Sequence, residues 1–327
     1  MAREPAARRF RRLRLAPRAV IGPAEIDAAA RRIAPHVRVT PVVAVEAAAF
    51  GAAVTLKLEC LQHAGSFKPR GAFNRILSAA VPAAGVIAAS GGNHGMAVAF
   101  AARALGYRAE IFVPEIATPV KQQRLRELGA ALTVTGRDYA EAFAACEARQ
   151  RHSGALLVHA YDQPEVLAGQ GTTAREFETQ APDMDTVLVA VGGGGFVGGI
   201  AAWFQGRVRV VAVEPETSCA LHAALAAGAP VDVSVSGIAA DSLGARRVGT
   251  LAFEQARRHV EQVVLVSDAA IRQAQRALWR ELRVVAEPGG ATALAALISG
   301  AYRPAPGERV GVLVCGANCD PGSVAGP

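Results

Sequence analysis

Short apolar runs, set off by glycine and proline, recur along this chain, and each leads into a stretch with helical periodicity. Gly85-Val86-Ile87-Ala88-Ala89 predicts a strand, followed by a glycine turn and a helix over 95–105. Glu110-Ile111-Phe112-Val113 predicts the next strand, then a helix over 119–128 that stops at Gly129. Leu132-Thr133-Val134, a helix over 138–150, and Leu156-Leu157-Val158-His159 complete this series. A second series begins with Thr186-Val187-Leu188-Val189-Ala190-Val191, a glycine run and a helix over 196–205. Val208 to Val213 predicts its next strand, and helices follow over 218–227 and 267–283, the latter capped by Ser267-Asp268. Arg309 to Val314 predicts the last strand. Upstream, the pattern predicts a helix over 21–33, a strand over the alternating run 54–59 and a helix over 72–80.

Apolar runs this short, alternating with helices, predict parallel βαβ units rather than an all-helical chain. The fold class is therefore α/β, with two doubly wound open-sheet domains. Residues 80–159 form the small domain, and 19–79 join 160–327 in the large one.

Composition adds three constraints. The 327 residues are 51% hydrophobic, enough for a large core. Five cysteines with no C-x-x-C pair argue against a disulfide framework or structural zinc, and point to a reducing, cytoplasmic setting. No 18-residue uncharged apolar run is present, so no membrane span is expected. The net charge of +7 is concentrated at one end. Residues 1–18 carry seven arginines against Glu4, leaving the remaining chain near neutral. That distribution predicts a solvated, disordered basic arm rather than a folded nucleic-acid-binding face.

Candidate chemistry begins with lysine, of which there are three. Lys57 lies in the 54–59 strand, and Lys121 follows Thr118-Pro119 as a solvated helix lysine. Lys68 sits in Ser66-Phe67-Lys68-Pro69-Arg70-Gly71-Ala72, a loop able to present an amine to a pocket. Gly192-Gly193-Gly194-Gly195 follows a buried strand and opens a helix, so its amides can converge on a phosphate. The same stretch also fits a dinucleotide fingerprint through Gly193, Gly195 and Gly198, with Glu214 at the next strand end, or a plain structural turn. Ser90-Gly91-Gly92-Asn93-His94-Gly95 lies where α/β sheets bind ligands, and equally fits a glycine turn. Taken alone, Cys315 reads as a buried thiol, Glu287-Pro288-Gly289-Gly290 as a turn and Gly169-Gln170-Gly171-Thr172 as a glycine loop.

Together, Leu56-Lys57-Leu58-Glu59 and Ser66 to Ala72 resemble the cofactor-lysine signature of the fold-type II pyridoxal-phosphate enzymes, which include serine and threonine dehydratases and serine racemase. The other motifs follow in that family's order between about 40 and 320. The resemblance implies an architecture like the tryptophan synthase β-subunit and pyridoxal 5'-phosphate held by Lys68 as a Schiff base, with Phe67 against its ring. By the same resemblance Gly192, Gly193, Gly194 and Gly195 hold the phosphate. Ser90, Gly91, Asn93 and His94 form the substrate-carboxylate loop, and Asn93 also serves the cofactor's phenolic oxygen. Glu287 lies near the ring, Cys315 meets the pyridine nitrogen, Gly169 to Thr172 form pocket wall, and Asp241 to Gly244 help set the substrate side chain. A neutral thiol leaves the nitrogen unprotonated, which suits elimination.

Two positions depart from the pattern. Gly91 stands where racemases carry a proton-donating serine, which weakens a racemase reading. The cation site would begin at Glu214, but its acidic partner is Ala220, so no metal is expected. The implied activity is β-elimination of water from L-threonine or L-serine, giving a 2-oxo acid and ammonia, in a homodimer. Alternatives are elimination or replacement on another β-substituted amino acid, such as a hydroxyaspartate or hydroxyectoine-derived one, an NAD-dependent dehydrogenase, or a basic binder acting through the arm.

Overall fold

The computed structural model describes residues 21–325; the arginine-rich arm lies outside the described residues. Among the described residues there are ten strands: β1 (Val42–Val45), β2 (Val54–Lys57), β3 (Val86–Ala89), β4 (Ala109–Val113), β5 (Ala131–Val134), β6 (Leu156–Leu157), β7 (Thr186–Ala190), β8 (Arg209–Pro215), β9 (Val260–Val266) and β10 (Val310–Leu313). They form two sheets, a six-stranded one ordered β1-β2-β10-β7-β8-β9 and a four-stranded one ordered β5-β4-β3-β6. Every pairing of these strands is parallel except β1 with β2. Helices cover both sheets, so the strands bury both faces. Val187, Leu188 and Val189 in β7, and Val86, Ile87 and Ala88 in β3, are completely buried. Continuous apolar runs are what such strands require, which is why these were readable as runs rather than alternations.

The insertion of β10 between β2 and β7 positions the site. Lys57 at the end of β2 is in register with Leu313 at the end of β10. The segments leaving these two ends then run together. Cys60 N–H donates to Val314 O (2.9 Å), Phe67 N–H donates to Cys315 O (3.1 Å), and Ser66 bridges to Gly316. Chain segments far apart in sequence therefore share one floor.

Several expectations need correction. Lys68 is the first residue of the helix Lys68–Leu77, not a loop residue; Pro69 behind it has the fixed φ that favours a first helical turn. The predicted strand over 54–59 ends at Lys57, and Glu59 opens a 3-10 turn. Gly169-Gln170-Gly171-Thr172 is neither a loop nor pocket wall but the buried middle of the helix Pro164–Gln180. Its glycines serve packing: a Cβ at Gly169 would lie 2.5 Å from Arg70 O on the Lys68 helix. Strands β1 and β9 and the helices Thr250–His259 and Pro288–Ile298 were not anticipated. Lys121 is not simply solvated; it pairs with Asp241 across the two sheet units.

Candidate active site

The chain enters the site through two tight turns. Ala64 and Gly65 both have positive φ (55° and 72°), which reverses the chain after the 3-10 turn and delivers Ser66, Phe67 and Lys68 to the C-terminal edge of the large sheet. The Lys68 ammonium donates to the carbonyl of Ala160 (2.8 Å). Burial pushes this amine down from its ordinary value to about 8, against the pull of Cys315 and Glu287. About a tenth of such an amine is neutral at pH 7, against roughly three parts in ten thousand for an ordinary lysine. Phe67 stacks on Phe196 with ring centroids 3.9 Å apart, which fixes the plane of its ring.

Opposite Lys68, the run Gly192–Gly195 turns from β7 into the helix Gly195–Phe204. Gly194 has φ +88°, and a Cβ at Gly193 would lie 2.3 Å from the Tyr161 ring. Side chains are thus excluded on both counts. The helix N-terminus carries no side-chain cap, so its amides face the cavity shared with Lys68, Phe67 and Tyr161. Uncapped amides at a helix start form an anion site. A buried amine of lowered basicity facing an amide cradle stripped of side chains fits pyridoxal phosphate, aldehyde at one end and phosphate at the other.

The third wall joins Asn93, Glu287, Cys315 and Asn318. Asn93 Nδ2 donates to Glu287 Oε1 (2.5 Å), and Asn93 Oδ1 accepts from Asn318 Nδ2 (2.6 Å). Burial pushes the Glu287 carboxyl up to about 7. The Cys315 thiol is buried, donates to Gly289 O (3.4 Å) and is pushed far up by burial, so it is neutral. Ser90 Oγ accepts from Gly92 N–H (3.1 Å). A Cβ at Gly91 would sit 3.3 Å from that of Ala117, so the space there is nearly filled. His94 is buried and uncharged, pushed down to about 3, with Nε2 on Val158 O (2.8 Å).

The loop between β6 and the helix Pro164–Gln180 contributes residues that sequence reasoning missed. Ala160 O holds Lys68, and Tyr161 packs over the glycine cradle. His159 Nδ1 accepts from the amides of Tyr161 (3.2 Å) and Asp162 (2.9 Å), fixing the loop. No local pattern signals them. Asn318 was visible in Cys315-Gly316-Ala317-Asn318 but carried no cue to its partner. Two readings lose ground here. Glu214 is completely buried, and its two oxygens accept from the amides of Leu221 and His222 (2.8 Å each), so it is not presented to a ribose. Among the described residues, no group of three His, Cys, Asp or Glu is placed to hold a metal ion. A larger cleft of about 740 Å³ passes Ala64 and Gly65 between Arg38, His63, Met96 and Phe100, and contains none of Lys68, Asn93 or the glycine run.

A fold of two open parallel sheets, a buried lysine facing a glycine cradle and a neutral thiol define a pyridoxal-phosphate site on a fold-type II frame. The chain belongs to the pyridoxal-phosphate dependent enzyme family, whose model matches residues 33–316. It is 37% identical to a phenylserine dehydratase of Ralstonia pickettii, over 84% of this chain and 86% of that protein. It is 39% identical to an L-threonine ammonia-lyase of Geobacter sulfurreducens, over 83% of this chain and 68% of that one. Among solved structures, maize serine racemase superposes with a TM-score of 0.88 at 32% identity, covering 93% of this chain and 96% of the other. A bacterial threonine deaminase, from T.th., superposes with a TM-score of 0.86 at 34% identity, covering 91% and 99%.

Proposed function

We propose that the protein is a dehydratase of L-threonine, L-serine or both, releasing a 2-oxo acid and ammonia. The observation that carries this is the Lys68 amine, buried between the glycine cradle and the Asn93–Glu287 pair. Pyridoxal phosphate, when bound, supplies the electron sink that makes the amino acid's Cα–H acidic. The chain supplies the rest. The amides at Gly192–Gly195 bind the phosphate end, and the Ser90–His94 turn receives the substrate carboxylate. Lys68 Nζ, once free and neutral, takes the Cα proton while Ala160 O orients it. The Cβ hydroxyl departs with a proton as water, and the released unsaturated amine hydrolyses to the 2-oxo acid and ammonia. The neutral Cys315 thiol provides no counter-ion for a protonated ring nitrogen, which favours elimination. Gly91 has no group to reprotonate the opposite face, so racemisation is disfavoured.

A second reading, a β-hydroxy amino acid with a larger side chain such as phenylserine, is supported by the Ralstonia relative, which this chain matches over most of both lengths. The same reading carries a homodimer and a cytoplasmic setting; a sedimentation mass of two chains tests the first. Among the described residues no helix is long and apolar enough to cross a membrane.

Lys68→Ala is expected to lose both 2-oxo acid formation and the ~410–420 nm absorbance of the lysine-bound cofactor. Retention of that band would mean that Lys57 or Lys121 is the attachment point. Assay of threonine, serine and phenylserine for 2-oxo acid and ammonia separates the two substrate readings.

A further inference from the structure

The amide hydrogen bonds around Asn93 form a chain whose direction is fixed at one end. Ala64 O is a main-chain carbonyl and can only accept. Asn318 must therefore turn its Nδ2 toward it, at 2.8 Å. The same Nδ2 reaches Asn93 at 2.6 Å, so Asn93 must present Oδ1 there. Asn93 Nδ2 is then directed at Glu287 Oε1, at 2.5 Å. Each carboxamide nitrogen has two hydrogens. Asn318 uses both, and Asn93 uses one. A flip of either amide sets donor against donor or oxygen against oxygen, so the arrangement has one consistent orientation.

Asn318 also joins parts of the chain that otherwise meet only here. Asn93 opens the helix Asn93–Ala104 of the small-sheet unit, and Ala64 belongs to the turn before Lys68. The main chain reinforces the contact, as Ala317 N–H donates to Gly65 O (2.9 Å). A Cβ at Gly65 would lie 2.6 Å from Asn318 Oδ1, so the carboxamide is packed flat against the lysine turn.

We propose that Asn318 is a positioning residue: it holds the Asn93 carboxamide in one orientation, with one N–H left to donate to the phenolic oxygen of the cofactor, and fastens the small-sheet unit to the lysine turn. This rests on Asn93 serving that oxygen. Asn318 itself does not touch the reacting atoms, so its effect must pass through Asn93.

The test is a double-mutant cycle on cofactor binding, read by absorbance titration of the apoprotein with pyridoxal phosphate. Asn93→Ala and Asn318→Ala are each expected to weaken binding about tenfold, the size of one lost hydrogen bond of ~1.4 kcal/mol. In the Asn93→Ala background, Asn318→Ala is expected to add little. Unchanged binding by Asn318→Ala, or full additivity in the double variant, overturns the proposal. Should Asn318→Ala not fold, Asn318→Asp replaces it, since that change keeps the shape and turns both donors into acceptors. Wild-type binding by Asn318→Asp overturns the proposal equally. Failure of the wild-type protein to bind pyridoxal phosphate at all would instead defeat the functional reading beneath it.

Discussion

The burial that makes the Lys68 ammonium unfavourable also makes it reactive. Removal from water penalises the charged form, and its pKa falls from an ordinary 10.5 to about 8. Attack on the cofactor aldehyde needs the neutral amine. The rate of pyridoxal phosphate association with the apoprotein is therefore expected to rise with pH, with a midpoint near 8, and to level off above it. Stopped-flow absorbance at the lysine-bound band measures this; a midpoint near that of an ordinary lysine would mean the amine is solvated before loading. Lys68 was legible in the sequence because lysines are few here and this one sits in a distinctive motif. Asn318 was not, because its role depends on Ala64 and Asn93, neither of which is near it in sequence.

At the scale of elements, the helix Lys68–Leu77 needs a fixed first turn, and Arg70 supplies it. Its guanidinium forks onto both Glu59 oxygens (2.8 and 2.7 Å) and contacts both Glu176 oxygens (3.1 and 3.0 Å). Lys57 completes the cluster by bonding Glu176, Thr40 O (2.7 Å) and Gln180 (2.6 Å). Two cations thus balance two carboxylates in the interior, and Arg70, Lys57 and Glu59 are essentially without solvent exposure. Arg70→Met removes one cation and leaves Glu59 buried without its partner. A loss of about 3–5 kcal/mol is expected in urea unfolding of the apoprotein. A loss under about 1 kcal/mol, the range of an exposed pair, would show that water reaches the cluster. The periodicity exposed the βα units because their strands are short apolar runs bounded by glycine. It missed the helix Pro164–Gln180, where glycines that signal a loop locally are required instead by close packing against Arg70 O and Gly199 O. It missed β9 as well; that strand pairs at the sheet edge with a register shift and stays only partly buried over most of its length.

At the scale of the whole molecule, the candidate site lies between two sheet units, and its mouth depends on how closely they approach. Lys121, on the small-sheet helix Pro119–Glu127, pairs with Asp241 on the short helix Ala240–Leu243 of the large-sheet unit. The same large-sheet segment stands by the substrate turn, since a Cβ at Gly92 would be 3.7 Å from Asp241 O. The pair is partly open to water, with side-chain exposures of 27% and 60%, so it is worth at most about 1 kcal/mol. That is too little to lock the units, and enough to shift the balance between closer and looser approaches by a few-fold. Lys121→Ala is therefore expected to raise the KM for the amino acid about two- to fivefold, with kcat changed less. Raising the salt should reduce the wild-type advantage by screening the pair, and should have less effect on the variant. Asp241→Ala should reproduce the shift, and the double variant should add nothing to either single one. Identical KM values for wild type and Lys121→Ala at low salt would show that the approach of the two units rests on the Asn93 contacts alone.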